Sequence, residues 1–440
     1  MSISPSLEIR DPLHGAIAID AQEKAVIDHP FVQRLRGIRQ LGFSHIPFPG
    51  ATHSRFSHSL GVMELAGRAF DVIFRDEPFS SKGRKNQLRH CVRLAALCHD
   101  LGHGPYSHAA EFAMPDAVEL NIEGYGPDVL KRRKNSRATH EDYTVGILTG
   151  TSLSKTIEDN FEFEATHVAA LVNPEVTTSG DFFCDRGHDL KRVLSQLISS
   201  NLDCDRLDYL GRDSFFTGTQ YGQVDVPWLI SHMGRHVDED NHVGLAIDRA
   251  ALYAFDDFMV ARFHMFMMVY FHQKSVAYEL LLRRTLTDPG CDYELPADVD
   301  LYLNYDDAHM LDWLRRSSSP WAKRILEGRL QKPVLELHGE PGEIDLTGRQ
   351  QALNEAGIDA MCDRAIGVVY QPPADGKFPI IVTDARRGMP PMPLHQIRGS
   401  IRHDRHRIAI ARIFVDAADV DAARGVIQSM GTPSTQQRFL

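Results

Sequence analysis

An apolar helical run, Leu94-Ala-Ala-Leu-Cys, ends on His99-Asp100-Leu-Gly-His103-Gly-Pro-Tyr-Ser-His108, and no other feature constrains the fold as strongly. An imidazole and a carboxylate carried into a core by the last turn of such a helix are costly unless they pair or bind something. A divalent cation is the simplest group to offset that cost. The pattern therefore asks for a helical scaffold around a polar centre and predicts metal-assisted chemistry on a phosphate ester. Two further positions complete a candidate ligand set: His58 in Arg55-Phe-Ser-His58-Ser, and Asp205 in Asp203-Cys-Asp205-Arg-Leu-Asp208-Tyr209. Two histidines and two aspartates leave coordination positions open for water and a phosphate oxygen. Mixed imidazole and carboxylate donors suit Fe, Mn, Zn, Co or Ni better than Ca or Mg.

Histidine distribution points to the same region. Of 22 histidines, ten fall between His14 and His140. The net charge of −11 gives the surface as a whole no signature of nucleic-acid binding, so any phosphate site must be a local basic pocket in an acidic body. The 6 cysteines lack C-x-x-C spacing and read as reduced cytosolic thiols, neither a disulfide framework nor a zinc finger. No apolar run approaches the roughly 20 residues that cross a bilayer, and the first residues do not resemble a secretory signal. A cytoplasmic protein with no membrane contact is expected.

Element patterning predicts a mainly α fold. Residues 8–20 read as a hairpin, followed by a helix over 21–41 broken near His29-Pro30 and an aromatic, proline-rich loop over 43–49. Helical spacing recurs over 57–74, 88–100, 107–114, 140–148, 165–172, 190–210 and 250–282. Composition shifts near Thr287-Asp-Pro-Gly. Short helices (297–303, 307–315, 320–326) then lead to β-like stretches at 365–370, 379–383 and 408–414 and a last helix at 417–430. This divides the chain into a helical core, 1–285, and a smaller α/β portion, 286–440, with an oligomerisation or regulatory role.

The motifs Asp11-Pro-Leu-His-Gly, Phe31-Val-Gln-Arg-Leu-Arg, Phe48-Pro-Gly-Ala-x-His-Ser-Arg-Phe-Ser-His-Ser-Leu-Gly and Asp208-Tyr-x-x-Arg-Asp213 together resemble HD-domain phosphohydrolases. The resemblance is specifically to the deoxynucleoside triphosphate triphosphohydrolases related to the sterile-alpha-motif/HD-domain enzyme, without that motif ahead of the HD domain. It fades after about residue 285. It implies an HD-domain helical core in which His58, His99, Asp100 and Asp205 hold the metal. It also implies catalytic roles for His103 and His140, with Glu111 standing where an aspartate usually orients a catalytic histidine. Arg55, Arg206, Tyr209 and Arg262 would meet the phosphates, and Gln40, Leu41 and Asp213 the sugar. His108 and Tyr270 would complete the substrate site. His103, one turn beyond His99, is suitably placed to act as acid or base. The basic run 131–137 ahead of His140 reads as a solvated face, a lid over a polyanion or a nucleic-acid contact.

The implied reaction splits a dNTP into deoxynucleoside and inorganic triphosphate by water attack at the α-phosphorus, with Mg entering alongside the substrate. Relatives of this branch are often nucleotide-activated tetramers. Asp28, Gln33 and Arg36 match activator-reading positions, and a homo-oligomer, dimer or tetramer, is expected. Two other readings of the same residues stay open. One is an HD-type nucleotidase, phosphodiesterase or single-strand nuclease, with nucleic acid the less favoured partner. The other is a nucleotide-sensing protein with little turnover. The basic stretches around Arg386-Arg387 and Arg402–Arg407 could meet a regulatory nucleotide.

Overall fold

Three helices carry the centre of the molecule. Arg55–Ile73 is buried along most of its length, Lys82–Cys98 packs beside it, and Cys204–Thr217 crosses it. Ser81 starts the second by accepting from the Arg84 N–H at 3.0 Å, and Asp203 starts the third by accepting from the Arg206 N–H at 2.8 Å. Such caps satisfy backbone donors that a helix cannot satisfy itself. The computed structural model of the chain describes residues 7–440 apart from 341, 343, 345, 369–378, 385–386, 398–406, 432–436 and 439–440. The fold is mainly helical with small sheets, as expected.

Several elements depart from the sequence-based reading. The single helix expected over 190–210 is two helices, Lys191–Ile198 and Cys204–Thr217. The Ser199-Ser200-Asn201 stretch breaks the run and Asp203 caps the next, so Asp205 sits in a first helical turn. The helix expected over 250–282 is interrupted by a π turn, Phe266–Tyr270, between Leu252–Met265 and Gln273–Leu286. The region before 285 also holds an unforeseen antiparallel hairpin, Met233–Val237 with Val243–Asp248. Ile381–Asp384 adds to that hairpin in parallel, and Met389–Pro393 closes the four-stranded sheet. The N-terminal hairpin, Leu7–Asp11 with Gly15–Ile19, and the break at His29-Pro30 match expectation.

A second sheet has the order Gln437–Arg438, Lys332–Gly339, Arg407–Val415, Met361–Val368, all antiparallel. Helices Thr347–Glu355 and Val420–Ser429 cover it and enclose a separate apolar cluster that includes Leu335, Leu353, Ile413 and Ile427. The short helices Val299–Tyr302, Asp307–Arg316 and Pro320–Glu327 pack instead into the main cluster. Among the described residues no helix is long and apolar enough to cross a membrane. Arg386 and residues 402–406 of the basic stretches lie outside the described residues.

Candidate metal centre and substrate cavity

Each proposed ligand is delivered by a helix end. His58 rides the first turn of Arg55–Ile73, His99 and Asp100 follow the last turn of Lys82–Cys98, and Asp205 opens Cys204–Thr217. His58 Nε2 lies 2.9 Å from Asp205 Oδ1 and 3.7 Å from Asp100 Oδ2. His99 Nε2 lies 3.3 Å from Asp100 Oδ1 and 3.6 Å from Asp205 Oδ1. With metal–ligand bonds of about 2.0–2.2 Å, neighbouring donors sit roughly 3–3.5 Å apart. His58, His99 and Asp205 are grouped closely enough to share one cation, while Asp100 adjoins them, meeting His58 and His99 through different oxygens. Both Nε2 atoms are buried without a hydrogen-bond partner, because their approach to the carboxylates does not align an N–H. Orphaned buried nitrogens facing two carboxylates are the donor set a transition metal would satisfy.

Electrostatics agree. Burial alone would lower the His58 imidazole, but the close carboxylates of Asp205 and Asp208 raise it to about 10. Burial raises the Asp205 carboxyl, yet His58 and His99 hold it well below the usual range. Asp100 is likewise held low by Arg55 and by His99 and His103 against the effect of burial. Arg55 forms an ion pair with Asp100 and donates from Nε to Ser107 Oγ at 2.9 Å.

A histidine group adjoins this centre. The rings of His103 and His140 stack with centroids 4.0 Å apart. Gly102 permits that closeness, since a Cβ there would lie 1.9 Å from the His140 carbonyl oxygen and 2.5 Å from the Thr144 nitrogen. His103 Nε2 is 3.3 Å from Asp100 Oδ1, while burial and the neighbouring charge of Arg55 and His140 hold its pKa well below the ordinary value. Glu111 Oε1 accepts from Nδ1 of both His108 and His140 at 2.9 Å. Burial acts to raise the Glu111 carboxyl, but the two imidazoles bring it down to about 2. The longer carboxylate, where an aspartate was the usual residue, thus serves two imidazoles at once.

These groups open onto a cavity of about 680 Å³, whose wall includes Gln40, Leu41, His108, Tyr209, Asp213 and Tyr270. Asp213 accepts from His53 Nε2 at 2.8 Å and from the Tyr270 hydroxyl at 2.7 Å. Arg206 and Arg262 stand beside Tyr209, behind the cavity wall. Arg206 Nη1 and Arg262 Nε are buried with no partner among the described residues. Burial lowers the Arg262 pKa, and the neighbouring Arg206 lowers it further. Two crowded guanidiniums with unpaired N–H groups are complementary to a polyanion. Asp28, Gln33 and Arg36 are not brought to this cavity: Asp28 pairs with Lys24, and Arg36 donates to Gln33 Oε1 at 2.7 Å. None of residues 131–137 lines it either, and Arg133 is tied to Asp142 and Glu175 at 2.9 Å each.

Sequence reasoning missed several supports. Tyr302 donates to the Gly102 carbonyl at 2.9 Å, and Asp307 accepts from the Tyr106 N–H at 2.7 Å, so residues beyond 285 brace the loop that carries His103. That loop is locally strained: Tyr106 and Ser107 have φ of 54° and 59°, outside the region L side chains favour. Asp363, on strand Met361–Val368, adds a wall to the cavity. His53 and Asp208 also escaped notice as supporting groups, although both lie inside motifs already singled out.

Residues 55–175 match the HD domain model, and the chain carries that domain. It is 32% identical over 285 residues to "Uncharacterized protein YwfO" of Bacillus subtilis, covering 64% of this chain and 56% of that protein. It is 32% identical over 226 residues to "Deoxynucleoside triphosphate triphosphohydrolase SAMHD1" of Homo sapiens, covering 48% of this chain and 33% of the human one. The chain thus spans little more than half of the former relative and a third of the latter. In fold it is similar to the crystal structure of a hypothetical protein from Aquifex aeolicus, at a TM-score of 0.73 and 24% identity, covering 96% of this chain and 100% of the other.

Proposed function

We propose that this chain hydrolyses deoxynucleoside triphosphates to deoxynucleoside and inorganic triphosphate, using a divalent transition metal held by His58, His99, Asp100 and Asp205. One observation carries the reading. His99, Asp100, Asp205, His140 and Asp213 line one cavity, with His58 Nε2 set against Asp205, Glu111 holding His140, and Arg206 and Arg262, each with an unpaired N–H, behind its wall. Bound there, the cation would supply Lewis acidity to a phosphate ester. Arg55, Arg206 and Arg262 would neutralise the triphosphate, which phosphoryl chemistry needs more than covalent help. Neutral His103 and the Glu111-held His140 would handle the proton, and Tyr209 would line the phosphate path. Gln40, Leu41, Asp213 and Tyr270 would hold the sugar, with Asp213 accepting from its 3′-hydroxyl.

The sugar-facing carboxylate favours this reading over a general phosphodiesterase or nuclease, which has less use for it. The reading extends to Mn as a serviceable metal, Mg entering with the substrate, a cytoplasmic homo-oligomer, and a nucleotide activator at Asp28, Gln33 and Arg36. Residues 286–440 would serve assembly or regulation. The test is product analysis on Mn-loaded protein given each dNTP singly and then all together. Deoxynucleoside plus intact triphosphate supports the proposal, and a rate present only with the mixture supports activation. Monophosphate release refutes it.

A further inference from the structure

The Asp11-Pro-Leu-His14-Gly turn has no place in the chemistry above, yet it lies against the metal centre. His14 Nε2 sits 2.6 Å from Asp208 Oδ1, and Asp208 Oδ2 sits 2.8 Å from His58 Nδ1. Arg212 clasps the same carboxylate, Nε to Oδ2 at 2.7 Å and Nη2 to Oδ1 at 2.8 Å. Its remaining Nη1 reaches Asp11 Oδ2 at 2.8 Å. Asp11 Oδ1 accepts from the Leu13 and His14 N–H groups at 2.9 and 3.0 Å, closing the turn that presents the His14 ring. Asp208, Arg212 and His58 are fully buried.

We infer that the N-terminal hairpin turn is part of the metal centre: His14 is a positioning residue that, with Arg212, fixes Asp208 and through it the orientation of the His58 ligand. A carboxylate oxygen only accepts, so Asp208 requires a proton on His58 Nδ1. That leaves Nε2 as the donor atom, pointed at Asp205. An imidazole oriented this way is a better ligand, because the carboxylate raises its basicity and removes its rotational freedom. The Arg212 fork holds both oxygens of Asp208 from its own helix. The His14 contact, from a different element, adds a third hold on Oδ1 and ties the carboxylate to the N-terminal hairpin. The motif spacing follows: a turn at 11–14 and a helix carrying Asp208 and Arg212 one turn apart meet on the far side of His58 from the cavity.

This inference rests on His58 being a ligand, so the experiment carries a control for that. Manganese(II) is titrated into metal-free protein while free Mn is followed by electron paramagnetic resonance, for wild type, H14F, H14Q, H14N and H58A. Each variant's metal-free thermal midpoint is measured in parallel. H14F should weaken Mn binding about ten- to a hundredfold. H14Q, whose amide reaches the position of the imidazole Nε2, should stay close to wild type. H14N, one methylene shorter, should behave like H14F, and this pair decides the matter if H14F does not fold. Wild-type affinity in H14F or H14N, with H58A impaired, overturns the positioning role. Wild-type affinity in H58A overturns the ligand set, and the hairpin's role with it. Matched losses in H14Q and H14N mark a merely structural contact and also overturn the inference.

Discussion

Shortening Glu111 to aspartate tests whether one carboxylate must serve two histidines. Glu111 Oε1 is 2.9 Å from Nδ1 of both His108 and His140. Aspartate is shorter by one methylene, about 1.5 Å, and cannot hold both contacts without moving a helix end. A hydrogen bond to a charged group contributes about 1.5–3 kcal/mol net. Glu111 is 33% exposed, which favours the lower end of that range. Losing one bond of about 1.5 kcal/mol predicts roughly a tenfold fall in kcat/KM for E111D. In E111Q the amide keeps the length but loses the charge to both rings, and the fall should approach about a hundredfold. On the proposed reaction, in which the histidines act on the reacting bond and the triphosphate is held elsewhere, the loss should sit in kcat. The assay is steady-state release of inorganic triphosphate, with Mn content and circular dichroism checked for each variant. Both variants within twofold of wild type, folded and metal-loaded, would refute the idea that Glu111 sets the histidine geometry.

Three further outcomes follow from the same geometry. A Cβ at Gly61 would lie 1.9 Å from Asp208 Oδ1 and 2.4 Å from Arg212 Nη2, so G61A must displace a buried ion pair; urea denaturation should show a loss of about 3 kcal/mol. Because Asp205 and Asp208 outweigh burial and raise His58 to about 10, the metal-free ring is protonated below that pH and a cation must displace the proton. Mn affinity should therefore climb about tenfold per unit between pH 6 and 9, and a flat profile in buffers matched for ionic strength would contradict it. R206A and R262A should each raise KM for a triphosphate about ten- to a hundredfold while leaving Mn content unchanged, as measured by initial rates and elemental analysis.

The sequence exposed those features in which local pattern and chemistry coincide. A His-Asp pair at the end of an apolar helix marks itself through its burial cost. Other features were hidden for identifiable reasons. Leu194, Leu197, Ile198 and Leu202 keep helical spacing across the break at 199–203, so periodicity alone joined two helices that a capping aspartate separates. The hairpin at 233–248 lies in a stretch, 211–249, to which the sequence reading assigns no element. Its signal was the turn at Asp240-Asn241, where Asn241 takes a φ of 64°. The buttress of Asp11, His14, Asp208 and Arg212 links residues about two hundred positions apart, and Tyr302 and Asp307 reach the loop that carries His103 from a similar distance. No spacing rule reports such contacts, because they arise only once the helices have packed.

The most direct test of the central claim is the identity of the products that Mn-loaded protein forms from a single dNTP, resolved by anion-exchange chromatography. The account predicts deoxynucleoside and intact inorganic triphosphate in equal amounts, abolished in H58A and D205N. Formation of deoxynucleoside monophosphate and pyrophosphate, or turnover that survives both substitutions, would contradict it.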